Sequence, residues 1–170
     1  MKVHYEGLDM YSLDEDIYPI AFNQMQEFEC GNDTMSNYLK QSAYHNHITY
    51  EENTTLVFRN GVLVGYFTLK MDTIDIPDMS FRATELTRIA VDIEYQTGGI
   101  GVTIMDYIKF LVNQLNVRYI TTNALLEYLD WYMNRGFSVL SDEDIEDDSP
   151  TVYMYTDLYD EDAVDRYFDE

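Results

Sequence analysis

The chain has 170 residues, 46% of them hydrophobic and 15% aromatic, with 16 tyrosines. That is enough core material for one well-packed domain, short for two, and it excludes a disordered chain. Ten Lys and Arg stand against 32 Asp and Glu, a formal net charge of −22, which repels nucleic acid and anionic membranes and attracts polyamines, other amines and basic protein faces.

The single cysteine, Cys30, rules out an intramolecular disulfide and fits a reducing cytosol. Residues 1–10 carry acids and no apolar segment, so no signal peptide is expected, and no apolar run is long enough to span a bilayer. A cytoplasmic protein is the expectation.

Residues 2–28 are mixed, and Tyr18-Pro19-Ile20 predicts an extended or turn element. A helical pattern follows through Met35, Leu39 and Ala43, with Asn32 or Asp33 as its N-cap. His45 and His47 stand two apart at the expected end of that helix. With no Cys or third His nearby they read as loop residues, and no metal site is expected. Residues 55–59 and 62–71 read as strands joined by Asn60-Gly61, a type I′ hairpin signal, and Gly65 marks a bulge. Residues 72–82, acidic and containing Pro77, read as a connection lying over an acceptor site.

Residues 83–91 form the next predicted strand. It runs into Gln96-Thr97-Gly98-Gly99-Ile100-Gly101, with three glycines in four residues, and then into a helix with Ile104, Ile108, Leu111 and Leu115 on one face. Such a junction directs several backbone N–H groups and the positive helix end at one point, which suits a pyrophosphate. The spacing is not G-x-G-x-x-G and no G-K-[ST] follows, so neither a dinucleotide fingerprint nor a nucleoside triphosphate loop is expected. Residues 118–123 read as a β-branched strand, and 124–135 as a helix with Leu126, Leu129 and Met133 on one face. Residues 137–140 and 151–158 read as two final strands. Between them lies an acidic loop, 141–150, and residues 141–170 together hold 13 acids and one Arg.

The run Gln96-x-x-Gly99-x-Gly101 resembles the acyl-CoA pyrophosphate loop of the GNAT N-acetyltransferases: Gln or Arg, two residues, Gly, one residue, Gly or Ala. The preceding Ile89-Ala90-Val91-Asp92 is similar to the family's cofactor-binding strand. Asn123 with Trp131-Tyr132-Met133-Asn134-Arg135-Gly136-Phe137 resembles its second half. The resemblance covers residues 20–158. It implies a single α/β domain over residues 1–158, with a mixed, mostly antiparallel central sheet and helices on both faces, and an acidic tail at 159–170. It also implies transfer of an acetyl group from acetyl-CoA to an amine. Ile89, Ala90 and Val91 would then offer backbone groups to the pantetheine and Asn123 would contact its arm. Gln96, Thr97, Gly98, Gly99, Ile100, Gly101 and Val102 would clamp the pyrophosphate. One departure matters. The position before Gly99 is often basic in the family and is Gly98 here, which leaves phosphate binding to backbone N–H groups and the helix end. Lys109 and Arg135 are open candidates for a supporting cation.

Two residues are candidates for proton transfer. Glu85 lies eleven residues before Gln96, the spacing of the catalytic glutamate in the histone-lysine-acetylating branch of the family. Strand alternation places it with Thr87, Ile89 and Val91, and apolar neighbours would raise its pKa and improve it as a general base. An ordinary strand carboxylate is the alternative. Tyr132 stands where the family commonly holds a general acid beside the thioester sulfur, a role that needs no charge at neutral pH. Core packing is the alternative there.

Acidic walls bias the acceptor toward a cation, either a polyamine-like molecule or a lysine on a basic protein. A homodimer is an open alternative to a monomer. The segment from Phe28 also resembles the first helix of the GNAT branch that includes toxin–antitoxin acetyltransferases acting on aminoacyl-tRNA. The chain has few cations for a tRNA path, so nucleic acid is not the expected partner. A rival from another class is a binding protein whose acidic surface mimics nucleic acid and occupies a nucleic-acid-binding partner.

Overall fold

The computed structural model describes residues 1–141 and 149–169. Its strands are β1 (Lys2–Tyr5), β2 (Leu8–Ser12), β3 (Asn53–Arg59), β4 (Val62–Ile76), β5 (Met79–Val91), β6 (Tyr119–Leu125), β7 (Ser138–Val139) and β8 (Thr151–Asp157). Its helices are α1 (Ile17–Glu27), α2 (Asp33–Gln41), α3 (Ala43–Ile48), α4 (Ile100–Gln114), α5 (Leu129–Met133) and α6 (Glu161–Asp169). The strands form one mixed sheet in the order β1-β2-β3-β4-β5-β6-β8-β7, the α/β fold that the resemblance implies. The chain gathers into two compact units, Met1–Met71 with Glu85–Ile108, and Asp72–Thr84 with Lys109–Glu170. Of the expected acidic loop, residues 142–148 lie outside the described residues. No described helix is long and apolar enough to cross a membrane.

In the first unit, β1 to β4 run antiparallel in sequence order. The β3–β4 turn is the expected type I′, because Asn60 (φ 52) and Gly61 (φ 77) both adopt the left-handed region it requires. Val57 pairs with Gly65 but Phe58 with Leu63, so Val64 is the extra residue of a bulge beside Gly65. Gly65 itself is dictated by proximity. A Cβ there would lie 2.7 Å from the Ala90 carbonyl oxygen and 3.2 Å from Ile104 Cδ1. Leu13, Met25, Phe28, Leu39, Leu56 and Tyr66 build the core of this unit, each buried side chain contributing about 1.5–3 kcal/mol. The fully buried Tyr66 keeps its hydroxyl satisfied by donating to the Met35 carbonyl at 2.6 Å.

Two expectations change in this unit. Tyr18-Pro19-Ile20 is helical, not extended, and lies in the first turns of α1. A proline is tolerated there because its missing N–H would have no intrahelical partner, and Asp14 accepts from the Asp16 and Ile17 N–H groups in place of an N-cap side chain. Asn32 does cap α2, accepting from Met35 N–H at 3.1 Å. The helical run nevertheless breaks at Ser42, so His45 and His47 belong to a separate α3 and not to a loop. Among the described residues no three His, Cys, Asp or Glu are grouped to hold a metal ion.

In the second unit, residues 72–82 are not a loop. They form the end of β4, a turn at Pro77-Asp78 and the start of β5. Ile74 and Ala83 pack with Tyr119 in a small core joined by Ile76, Phe81 and Tyr155, which gives this acidic segment enough apolar alternation to stay in the sheet. β6 and β8 pair antiparallel from Tyr119↔Asp157 to Leu125↔Thr151, and β7 adds to β8. Arg118 binds Asp157 through two bonds of 2.8 Å and holds its carboxyl below the usual range. The expected helix over 124–135 is only a 3-10 turn, Leu126–Tyr128, and the short α5. Its buried side chain is Tyr132, whereas Leu126 and Met133 are exposed. The acidic C-terminal residues form α6, which buries no residue.

α4 begins in the first unit and ends in the second. It buries Ile100, Ile104, Met105, Tyr107, Ile108 and Val112. Leu111 is half-buried, and Leu115 lies past the helix end and is exposed, because Asn116 (φ 58) closes the helix in the left-handed conformation.

Candidate active site

The expected site residues divide between the units. Glu85, Ile89, Ala90, Val91 and the run from Gln96 to Val102 fall in the first, Asn123 and Tyr132 in the second. On β5, Leu86 and Ala90 are buried while Glu85, Thr87, Ile89 and Val91 are half-buried, the alternation expected of a strand. Arg88 faces the other way. Its guanidinium lies 3.5 Å over the Tyr38 ring and binds Glu52 at 2.7 Å, and the Tyr38 hydroxyl donates to the same carboxylate.

After β5 the chain is stitched down before it turns. Asp92 N–H donates to the Val64 carbonyl, and its side chain accepts from Glu94 and Glu29 N–H groups. Ile93 N–H donates to the Glu29 carbonyl. The Gln96 amide donates to the Cys30 carbonyl at 2.8 Å and to the Val91 carbonyl at 2.9 Å. Gln96 therefore braces the turn with both its donors. Thr97, Gly98 and Gly99 are exposed beyond it. Gly99 (φ 75) adopts the left-handed conformation with nothing within 4 Å of a Cβ position, and its carbonyl accepts the first intrahelical bond of α4, from Thr103 N–H. Ile100, Gly101 and Val102 form the first turn of α4, whose N–H groups have no intrahelical acceptor. An open turn whose Gly98 and Gly99 carry no side chain, leading to the free N–H donors at the positive end of a fifteen-residue helix, fits a pyrophosphate.

In the second unit, Tyr132 is buried between Trp131 and Phe137, with ring centroids at 5.1 and 5.4 Å, both edge-on. Burial pushes its pKa up to about 12, and a hydrogen bond with the Thr122 side chain acts against that rise. Asn123 is exposed and stands on the opposite face of β6 from the buried Thr122. Thr122, on the buried face of β6, is the strand residue beside Tyr132 of α5.

The sequence matches the acetyltransferase (GNAT) domain family over residues 20–158. The chain belongs to that family. No curated protein matches it. Among solved structures, a tyrosine-to-phenylalanine mutant of the toxin AtaT bound to the C-terminus of the antitoxin AtaR superposes with a TM-score of 0.72 at 18% identity, covering 97% of this chain and 100% of that one. AtaT complexed with acetyl-methionyl-tRNAfMet gives 0.70 at 18% identity, covering 95% and 99%. AtaTR bound with acetyl-CoA gives 0.70 at 20% identity, covering 96% and 99%.

Two features of this GNAT domain lie outside the residues that its motifs point to. Arg59, the last residue of β3, places its guanidinium 5.2 Å over the Tyr95 ring, with Nη1 3.9 Å from where a Cβ on Gly98 would stand. The Asn60-Gly61 signal located the hairpin tip but gave no sign that the tip reaches the glycine turn. A cleft of about 310 Å³ in the first unit is lined by His47, Glu51, Glu52 and Lys70 among others. The two cations open as phosphate ligands have structural partners: the Lys109 ammonium donates to the Arg135 carbonyl, and the Arg135 guanidinium lies over Trp131.

Proposed function

We propose that this GNAT domain transfers the acetyl group of acetyl-CoA to the amine of a cationic acceptor. The observation that carries the reading is the turn at Gly98 and Gly99, braced by Gln96 and opening onto the unpaired N–H groups of α4. Acetyl-CoA, when bound, supplies the acetyl group as an activated thioester. The N–H groups of Ile100, Gly101 and Val102 hold its pyrophosphate, Thr97 and the glycines give the phosphates room, and Ile89, Ala90 and Val91 present backbone along the pantetheine. Asn123 is the candidate for the pantetheine arm. Tyr132 keeps its proton at any physiological pH and delivers it to the departing sulfur. Glu85 receives the proton that the acceptor ammonium must lose before it becomes a nucleophile. The net charge of −22 favours capture of that ammonium.

A second acceptor reading rests on AtaT, whose complex holds acetyl-methionyl-tRNAfMet: the amine of an aminoacyl-tRNA. The same charge opposes it, since it repels a polyanion and the chain has only ten Lys and Arg with which to offset that repulsion. One experiment separates them. The chain is incubated with acetyl-CoA and, in parallel, with polyamines, lysine peptides and aminoacyl-tRNA, and products are weighed by mass spectrometry. Acetylation of the first two classes is expected, together with stabilisation of the fold by about 2.7 kcal/mol at acetyl-CoA a hundredfold above Kd. Acetylated aminoacyl-tRNA alone moves the assignment to the second reading. No thermal shift at millimolar acetyl-CoA overturns both.

A further inference from the structure

An acidic chain that holds an anion must concentrate positive potential where the anion sits. The first unit has five cations. Lys2 pairs with Asp9 at 3.4 Å, Lys40 with Glu29, and Arg88 with Glu52 at 2.7 Å. Lys70 lines the cleft with Glu51 and Glu52. The fifth is Arg59. No described carboxylate lies within ion-pair distance of it, and no hydrogen bond to a described residue occupies its guanidinium. Among the described residues its ring partner is Tyr95, in the 3-10 turn that leads into the glycine turn.

Its placement is built, because three elements fix it. The type I′ turn at Asn60-Gly61 puts Arg59 at the hairpin tip. Gln24 of α1 pins that tip by donating to the Gly61 carbonyl and accepting from Leu63 N–H at 2.8 Å. Tyr95 then supports the guanidinium from below through its ring face. What remains is a half-buried planar fork of N–H donors beside Gly98, and such a fork matches phosphate oxygens two at a time. Gly98 has no side chain to obstruct or replace it.

We infer that Arg59 is the cation of this turn and binds the pyrophosphate of the acyl-CoA in front of Gly98. This rests on the acetyl-CoA reading above, and the test keeps the two apart. Calorimetry on the full chain measures Kd for CoA and for 3′-dephospho-CoA. Arg59→Gln is expected to weaken both ligands about tenfold, the worth of one charge-assisted contact, and to flatten the salt dependence. Adding Gly98→Arg to Arg59→Gln restores a cation from the turn itself and is expected to recover most of the loss. CoA binding by Arg59→Gln at wild-type strength overturns the inference. So does a loss that disappears with 3′-dephospho-CoA, which would assign the contact to the 3′-phosphate. If Arg59→Gln does not fold, Tyr95→Leu takes its place: it unseats the guanidinium, and several-fold weaker CoA binding supports the inference while unchanged binding overturns it. A wild-type chain that binds no CoA defeats the acetyl-CoA reading instead, and is recognised because the defect precedes any substitution.

Discussion

Ionising Tyr132 would leave a phenolate between Trp131 and Phe137, which is why burial raises its pKa from the ordinary 10 to about 12. The consequences for catalysis and for stability are separate. As a proton donor the phenol stays loaded, so Tyr132→Phe is expected to lower turnover by about 10²-fold or more while CoA affinity barely moves. For stability, the folded value exceeds the unfolded one. The contribution of Tyr132 is therefore complete below pH 10 and is lost as pH rises toward 12. Two pKa units correspond to about 2–3 kcal/mol. Urea denaturation between pH 10 and 12 should show a loss smaller by that amount in Tyr132→Phe. Tyr38, Tyr66 and Tyr107 are raised by burial as well, so only the difference between the two proteins reports Tyr132. A variant with wild-type turnover but the altered alkaline profile would make Tyr132 a core residue alone.

At the scale of elements, one imidazole supplies polar ties from α3 to the sheet beside the apolar packing of Ala43 and Tyr44. His47 Nδ1 accepts from Thr54 N–H at 3.0 Å, and its Nε2 lies 3.3 Å from Ser12 Oγ, which ties α3 to β3 and to the residue ending β2. Nδ1 can accept only when neutral, and burial lowers the pKa of this histidine. A depressed folded value means that its stabilisation is present above the ordinary pKa of about 6.5 and is lost as pH falls through the folded value. As pH falls below the ordinary value, the protection factor of the Thr54 amide, its exchange rate relative to the intrinsic rate at each pH, should fall, and His47→Gln should abolish that acid dependence; a protection factor that stays constant until the whole fold is lost to acid would refute the link. Nothing in the sequence spacing of His45 and His47 pointed to these contacts, because one crosses the turn between α3 and β3 and the other reaches back 35 residues to the end of β2. The same limit explains the other differences. The Asn60-Gly61 turn, the Asn32 cap and the strand-turn-helix at Gly98 and Gly99 were legible because each is set by neighbours in sequence. Pro19 misled because its effect depends on where in a helix it falls. Residues 72–82 misled because their acids outweighed an alternation, Ile74 and Ile76, then Phe81 and Ala83, that only the fold rewards. The brace made by Gln96 and the reach of Arg59 depend on tertiary approach, and no local pattern encodes that.

For the molecule as a whole, a charge of −22 acts on both proposed substrates with opposite sign. It attracts a cationic acceptor and repels the anionic acetyl-CoA, and salt screens both over a Debye length of about 8 Å at physiological ionic strength. Much of the charge sits where little else depends on it. α6 buries no side chain, and Asp160 accepts from Ala163 and Val164 N–H groups within α6 itself, whereas the ring of the preceding Tyr159 lies 4.6 Å from the Arg118 guanidinium. Ending the chain after Tyr159 removes six acids and one arginine. Changing Asp142, Glu143, Asp144, Glu146, Asp147 and Asp148 to Asn or Gln removes six more, which leaves a net charge of −11. This variant is expected to fold and to keep kcat. At low salt its on-rate for the cationic acceptor should fall several-fold while its on-rate for acetyl-CoA rises, and both differences should shrink at high salt. Stopped-flow binding of each substrate across a salt series makes the measurement. If neither rate moves, the acidic surface serves solubility alone. If catalysis is intact and a basic partner protein that never becomes acetylated is lost, the nucleic-acid mimic gains over steering, since a mimic needs the charge but not the glycine turn.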